Sequence, residues 1–274
     1  MTAPVAVILG SAFAEGAAAF GSDVDVEPQE VETRFGRQLL YRVEAGKRPA
    51  YLLFRHGVPH RLLPHQINYR AQAAALAEVG CGALLVTSSV GVMDEALPLY
   101  RPLLVGDLLT MDNRLPDGSA CTLFPEERAG HGHLVLSEGL FSEALTRQVA
   151  RLAEAAEAPP AGERVVFGYV GGPRGKTAAE NRMWRRLGAQ VNSMTLAPEV
   201  ILANELEIPC AALVVGHKYS IPDVDNPEDE GSVAATLDDS REALRRAVRV
   251  FVEQGEAVPF GNHLFRFDEA PTPP

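Results

Sequence analysis

The chain has 274 residues, of which 46% are hydrophobic and 22% charged, with a formal net charge of −11. That is the balance of a globular protein with room for one large α/β domain or two smaller ones. The absence of a basic stripe argues against nucleic acid as a partner, and no stretch reaches the roughly 18 apolar residues of a membrane span. The first residues, "MTAPVAVILGSAF", lack a basic leader region, so a cytoplasmic enzyme or binding protein is expected. Cys81, Cys121 and Cys210 are odd in number and far apart, with no CxxC pair, which speaks against a disulfide framework and a cysteine-rich zinc site.

In chain order, "VAVILG" (5–10) is a short β-branched run closed by glycine and reads as a buried strand. "QLLYRV" (38–43) and "AYLLF" (50–54) flank a hairpin-like turn. "PHQINYRAQAAALAEVG" (64–80) opens on proline, closes on glycine and carries apolar residues at helical spacing, so it reads as a helix. Strands are expected at 82–89 and 105–113, and a helix at 142–158 capped by Ser142. A strand at 164–170, a helix at 176–188, then strand, helix, strand at 189–194, 197–207 and 210–216 follow, and a long amphipathic helix spans 234–254. Segments 114–133 and 220–231 read as surface loops, and the last residues as a frayed end. The alternation of strands and helices predicts the α/β class.

Three segments end buried strands in small or cationic groups: "LGSA" (9–12), "FRHG" (54–57) and "TSSVG" (87–91). Ligands of open α/β sheets gather at strand ends. Gly10 lets a backbone approach closely, the serines offer hydroxyls, and Arg55 offers a planar fork for two oxygens. Together they suggest an oxyanion cradle, although each alone reads equally well as an ordinary polar strand end. "LGSA" lacks the spacing of a dinucleotide loop, and there is no GxSxG elbow. His56 and His60 are four apart, but Gly57 and Pro59 lie between them and no third ligand stands out, so no metal is expected.

The order of "VILGSAF" (7–13), "RHGVPHRLLPHQINYRA" (55–71), "VTSSVG" (86–91) and "GGPRGKTAAENRMWRRLGAQVNSMTLAPEVILANELEIPCAALVV" (171–215) resembles the trimeric purine nucleoside phosphorylase family, nearest its methylthioadenosine phosphorylase branch. The resemblance runs from about residue 5 to 255. It implies a single α/β domain over residues 1–265, with a mixed, partly closed sheet flanked by helices and a flexible tail at 266–274. It also implies a homotrimer with active sites at subunit borders. Inorganic phosphate would be the co-substrate, with no cofactor, and a purine nucleoside would be cleaved to base and ribose 1-phosphate. Carried over by position, Ser11, Arg55, His56, Ser88, Ser89 and Thr195 would hold phosphate. Met194, Tyr69 and His60 would serve the sugar, His60 reaching the neighbouring subunit's site. Val233 and Leu237 would line the 5′ substituent.

The base region departs from the family. Gly175 stands where the family carries a stacking aromatic residue, Lys176 where Glu or Ser is usual, and His217 where an Asp or Asn assists the departing base; Ala12 replaces a glycine of the first loop. A lost ring removes about 0.5–1.5 kcal/mol beyond burial, and a group aimed at developing charge is worth about 2.7–4 kcal/mol. His217 is therefore the expected catalytic group, with Gly175 and Lys176 beside the base. Two rivals stay open: a pocket rebuilt for another planar aromatic ligand with little or no phosphorolysis, and a non-catalytic homologue.

Overall fold

The computed structural model describes residues 3–13, 16, 26–45, 48–128, 130–221, 224, 226 and 230–266, with the backbone alone at 45 and 230–240. Eleven strands and five α-helices follow one another among them: β1 (Val5–Leu9), β2 (Val26–Thr33), β3 (Gly36–Ala45), β4 (Arg48–Phe54), α1 (Tyr69–Glu78), β5 (Ala83–Val92), β6 (Pro102–Leu109), β7 (Gly132–Val135), α2 (Glu143–Ala155), β8 (Val165–Tyr169), α3 (Ala178–Arg186), β9 (Val191–Ser193), α4 (Ala197–Glu205), β10 (Cys210–Tyr219), α5 (Glu230–Gln254) and β11 (His263–Arg266).

Nine strands form one mixed sheet in the order β10-β6-β8-β9-β5-β1-β4-β3-β2, and a second pairing, β10 with β5, closes five of them into a ring. The expected partly closed sheet is therefore present. Strand β1 is buried on both sides, which explains its unbroken apolar run. Val5, Val7 and Leu9 face a core completed by Leu145 and Val149 of α2 and Val248 and Phe251 of α5. Ala6 and Ile8 face the opposite core, with Leu76 of α1 and Val200 of α4. Burying side chains of this size stabilises by about 1.5–3 kcal/mol each.

Several boundaries differ from the sequence reading, each for a local reason. The helix expected over 64–80 is split: Pro64–Gln66 make a short 3-10 turn, and α1 begins at Tyr69 because the Asn68 side chain accepts a hydrogen bond from Ala71 N. The helix expected from 176 begins at Ala178, where Thr177 and Glu180 form a reciprocal capping box. The strand expected over 105–113 runs from Pro102 to Leu109, and β10 continues past Gly216 to Tyr219. Helix α5 starts inside the expected loop 220–231. Strand β2 escapes notice because it is a charged edge strand, "VEPQEVET", with little apolar alternation. Arg266, placed in the tail by the sequence reading, belongs to β11: its backbone pairs with Gly132 of β7 and its guanidinium with Glu207. The rest of the expected tail, 267–274, lies outside the described residues.

Candidate active site

Strands β4, β1 and β5 lie side by side and parallel, with Leu9 opposite Phe54 and Ile8 opposite Val86. This register brings the next residues, Gly10, Arg55 and Ser88, to one edge. The approach is close: a Cβ on Gly10 would lie 3.0 Å from Arg55 Nη1 and 3.1 Å from the Thr87 carbonyl oxygen. Thr87 ties the edge together, its hydroxyl accepting from Gly10 N at 3.1 Å and donating to Ile8 O at 3.1 Å. Past this point β5 exchanges its neighbour β1 for β9, which pairs only at Gly91 and Val92. Ser88 and Ser89 therefore sit where the sheet divides, the kind of crevice that receives ligands in α/β proteins. The Ser11 and Ser89 hydroxyls are 3.4 Å apart, as are those of Ser88 and Ser193.

Arg55 is 1% exposed and pairs with Glu199, which is 0% exposed. Its Nη1 donates to Thr87 O at 2.9 Å, while Nη2 and the second oxygen of Glu199 are buried without a protein partner. A buried charged donor with no acceptor is costly, and an arriving anion would relieve it. Next along the chain, the His56 ring donates from Nδ1 to Leu62 O at 2.7 Å and stacks on His60 at 4.3 Å. Burial first, and the Arg55 charge second, push the His56 pKa down to about 4. At neutral pH the ring is uncharged, and because the Leu62 carbonyl requires the proton on Nδ1, Nε2 is left as an acceptor. Thr195 is buried one residue before Leu196, whose φ of 80° is in the left-handed region. That strained turn sets Met194 and Thr195 at the entry of α4.

Beside this edge lie two cavities that share Ser89 and His217. One, of about 430 Å³, is lined by Gly175, Lys176, Asn192, Met194, His217 and Lys218 among others. The other, of about 310 Å³, includes Ser11, Ala12, Arg241 and Leu244. His217 reaches both because β10 bulges between Gly216 and Lys218, a device that re-aims a side chain. Partial loss of water around the ring lowers its pKa, and Lys218 and Lys176 push the same way against a hydrogen bond to the Val90 backbone. Burial, then the Lys218 charge, push the Lys176 pKa down to about 8. A Cβ on Gly175 would meet nothing within 4 Å, so the wall is open there.

The family model of the phosphorylase superfamily matches residues 4–253. The chain belongs to that superfamily. Among curated relatives, it is 39% identical over 171 residues to a probable S-methyl-5′-thioinosine phosphorylase of Pseudomonas syringae pv. tomato, covering 61% of this chain and 67% of the relative. It is 33% identical over 211 residues to a probable S-methyl-5′-thioinosine phosphorylase of Methanopyrus kandleri, covering 75% and 77%. Among solved structures, a mutant of the adenosine/methylthioadenosine phosphorylase of Schistosoma mansoni in complex with methylthioadenosine superposes with a TM-score of 0.78 over 91% of this chain and 90% of that one, at 22% identity. That likeness shows a shared phosphorylase fold.

Of the residues singled out from sequence, the fold brings Ser11, Arg55, His56, Ser88 and Ser89 to one edge, and Gly175, Lys176, Met194 and His217 to the adjoining cavity. His60, expected at a neighbouring subunit's sugar, stacks on His56 of its own chain. Tyr69, expected at the sugar, lines neither cavity. It is buried with Leu115 and Leu123, and its hydroxyl donates to Pro64 O at 2.9 Å. Pro64 in turn lies with Met194 against Gly172, so Tyr69 supports the cavity wall from behind. Val233 and Leu237 fall in α5, where the side chains lie outside the described residues. Sequence reasoning missed Asn192, which is buried with Nδ2 on Met93 Sδ (2.9 Å) and Asn181 Oδ1 (3.4 Å) and with Oδ1 unpartnered. Its place in a short strand, just before Ser193 and Met194, was its only signal. Asn226 was also missed; it accepts from Tyr219 N at 2.6 Å and donates to Tyr219 O at 3.2 Å, which ties that residue to the end of β10. Among the described residues no group of three or more His, Cys, Asp or Glu could hold a metal ion. No described helix is long and apolar enough to cross a membrane.

Proposed function

We propose that this protein catalyses phosphorolysis of a purine nucleoside, a 5′-methylthio nucleoside foremost, to free base and (5-methylthio)ribose 1-phosphate. The observation that carries the reading is the buried, unpartnered Nη2 of Arg55 at an edge shared with Gly10, Ser88 and Ser89, next to a cavity of purine size. The relatives named as methylthionucleoside phosphorylases support it. The rival in which the pocket serves another planar ligand without phosphorolysis rests on Gly175, Lys176 and His217 alone and is not favoured.

In this reading Arg55, Ser11, Ser88, Ser89 and Thr195 hold phosphate, and the lone pair of His56 Nε2 accepts its P–OH. A phosphate oxygen forms a bond to C1′ while the C1′–N9 bond breaks, its electron pair leaving with the base. Holding the two reactants in line supplies much of the rate. The sugar, cationic in the transition state, lies by Met194 and between phosphate and base, while His217 donates a hydrogen bond to the departing base. Val233 and Leu237 accept the 5′ group. The working assembly is a cytoplasmic homotrimer in purine salvage, with His60 turned toward a neighbouring subunit's site and phosphate as co-substrate in place of any cofactor. Incubation with phosphate and methylthioadenosine, methylthioinosine, adenosine, inosine or guanosine is expected to release base from at least one. No release from any of them, at enzyme concentrations near the substrate's, would refute the reading.

A further inference from the structure

The charged side chains described in the lining of the larger cavity are all basic. Among the described residues its charged side chains are Lys176 and Lys218, and no carboxylate lines it. The carboxylate nearest in chain, Glu180, is already engaged: Arg174 donates to it at 2.7 and 2.8 Å and Thr177 N at 2.7 Å. Two like charges facing one small cavity repel, and a partner that presents closely spaced acceptor atoms to both relieves that repulsion. The same cavity is lined by a buried acceptor without a protein partner, Oδ1 of Asn192.

Purines differ on the edge that would meet these groups. A base with a carbonyl at C6 presents two adjacent acceptors, O6 and N7, and beside them an N1–H donor. A base with an amino group at C6 keeps the N7 acceptor but turns a donor outward in place of O6. A lysine ammonium has three donors and no acceptor, so it bonds O6 and N7 together and opposes an amino group. Asn192 Oδ1 then takes the N1–H. Resting on the phosphorolysis reading, we propose that Lys176, seconded by Lys218, is the specificity-determining group for the base and selects purines with a carbonyl oxygen at C6 over those with an amino group. The same pair serves the reaction. When C1′–N9 breaks, the electron pair that stays on the base spreads toward N7 and O6, where the ammonium groups stabilise it until water supplies the proton.

Calorimetric titration of the intact protein with hypoxanthine and with adenine, in the presence of inorganic phosphate, tests this without requiring catalysis. Hypoxanthine is expected to bind roughly 10- to 100-fold more tightly than adenine. Lys176→Met is expected to erase most of that ratio by weakening hypoxanthine alone, and Lys176→Glu to invert it. Lys218→Met should reduce the ratio by a smaller factor, and the melting temperature of each variant checks that it folds. Equal or tighter binding of adenine, binding of neither base, or an unchanged ratio in Lys176→Met overturns the proposal. The two readings fail separately. A protein that prefers hypoxanthine yet releases base from no nucleoside retains this selectivity and loses phosphorolysis. One that cleaves 6-amino nucleosides as well as 6-oxo ones retains phosphorolysis and loses this selectivity.

Discussion

Replacing Glu199 with glutamine removes the negative charge facing Arg55 while keeping the side chain's shape. Both partners are shut off from water, at 1% and 0% exposure, so solvent cannot compensate the guanidinium that remains. Breaking a buried ion pair from one side costs about 3–5 kcal/mol. The amide oxygen still accepts one hydrogen bond, which puts Glu199→Gln near the lower figure. At about 2–4 °C per kcal/mol for a domain of this size, the melting temperature should fall by roughly 6–12 °C. The functional cost is separate. Glu199 fixes the direction of the Arg55 fork, and misplacing a binding group by about 1 Å can cost on the order of 100-fold in rate. We expect kcat/KM for phosphate to fall by about that factor, with the loss mainly in KM. A double variant, Arg55→Met with Glu199→Met, removes both charges and should recover most of the stability, while its melting temperature no longer responds to phosphate. Differential scanning fluorimetry across a phosphate series reads the stability changes and the response to phosphate, and initial rates over the same series read kcat and KM. A melting temperature within 2 °C of the parent (well under the roughly 6 °C that one-sided loss of a buried pair demands), with an unchanged KM for phosphate, would refute the argument.

Gly175→Phe should fold normally, because nothing lies within 4 Å of its Cβ position, and should tighten purine binding by about 2- to 10-fold through stacking. Gly91→Ala should instead impair activity, since its Cβ would fall 2.1 Å from Ser220 Oγ in the cavity wall; binding of free base compares the two. Base binding is expected to weaken as pH rises through about 8, where Lys176 loses its proton; burial and the Lys218 charge push that pKa down and Glu180, held by Arg174, opposes them. Stability moves the other way: the Lys176 pKa is lower in the folded chain than in the unfolded one, so the unfolded chain binds more protons between about 8 and 10.5, and this residue's unfavourable contribution fades as pH rises. The difference in melting temperature between the parent and Lys176→Met, followed over that range, should shrink. Thr177→Ala removes the capping box of α3 and should cost about 1 kcal/mol, seen as a small drop in melting temperature with base affinity reduced through Lys176.

Much of the candidate site's edge was legible before folding. Gly10, Arg55 and the two serines each end an apolar run, and parallel strands end at one edge of a sheet. The departures at Gly175, Lys176 and His217 were equally visible. Their surroundings were not. Nothing in the chain announces that β10 bulges at His217, that Lys218 and Lys176 line one cavity, or that Asn192 keeps a buried oxygen without a partner. For Tyr69, which the family resemblance assigns to the sugar, the structure adds what the sequence does not carry: its ring is held in an apolar cluster and its hydroxyl donates to Pro64 O.

By itself the sequence determined the class of the fold, the strands that would be buried on both faces, and the small and cationic residues at their ends. These depend on composition and short-range periodicity, which act over a few residues. Only the tertiary structure decided the closing of β10 onto β5, the pairing of Arg55 with Glu199 across 144 positions, and the meeting of the two lysines at one cavity. Each of these joins segments far apart in the chain, and their partnership is set by strand register and by the exclusion of water from the core, neither of which any local pattern records.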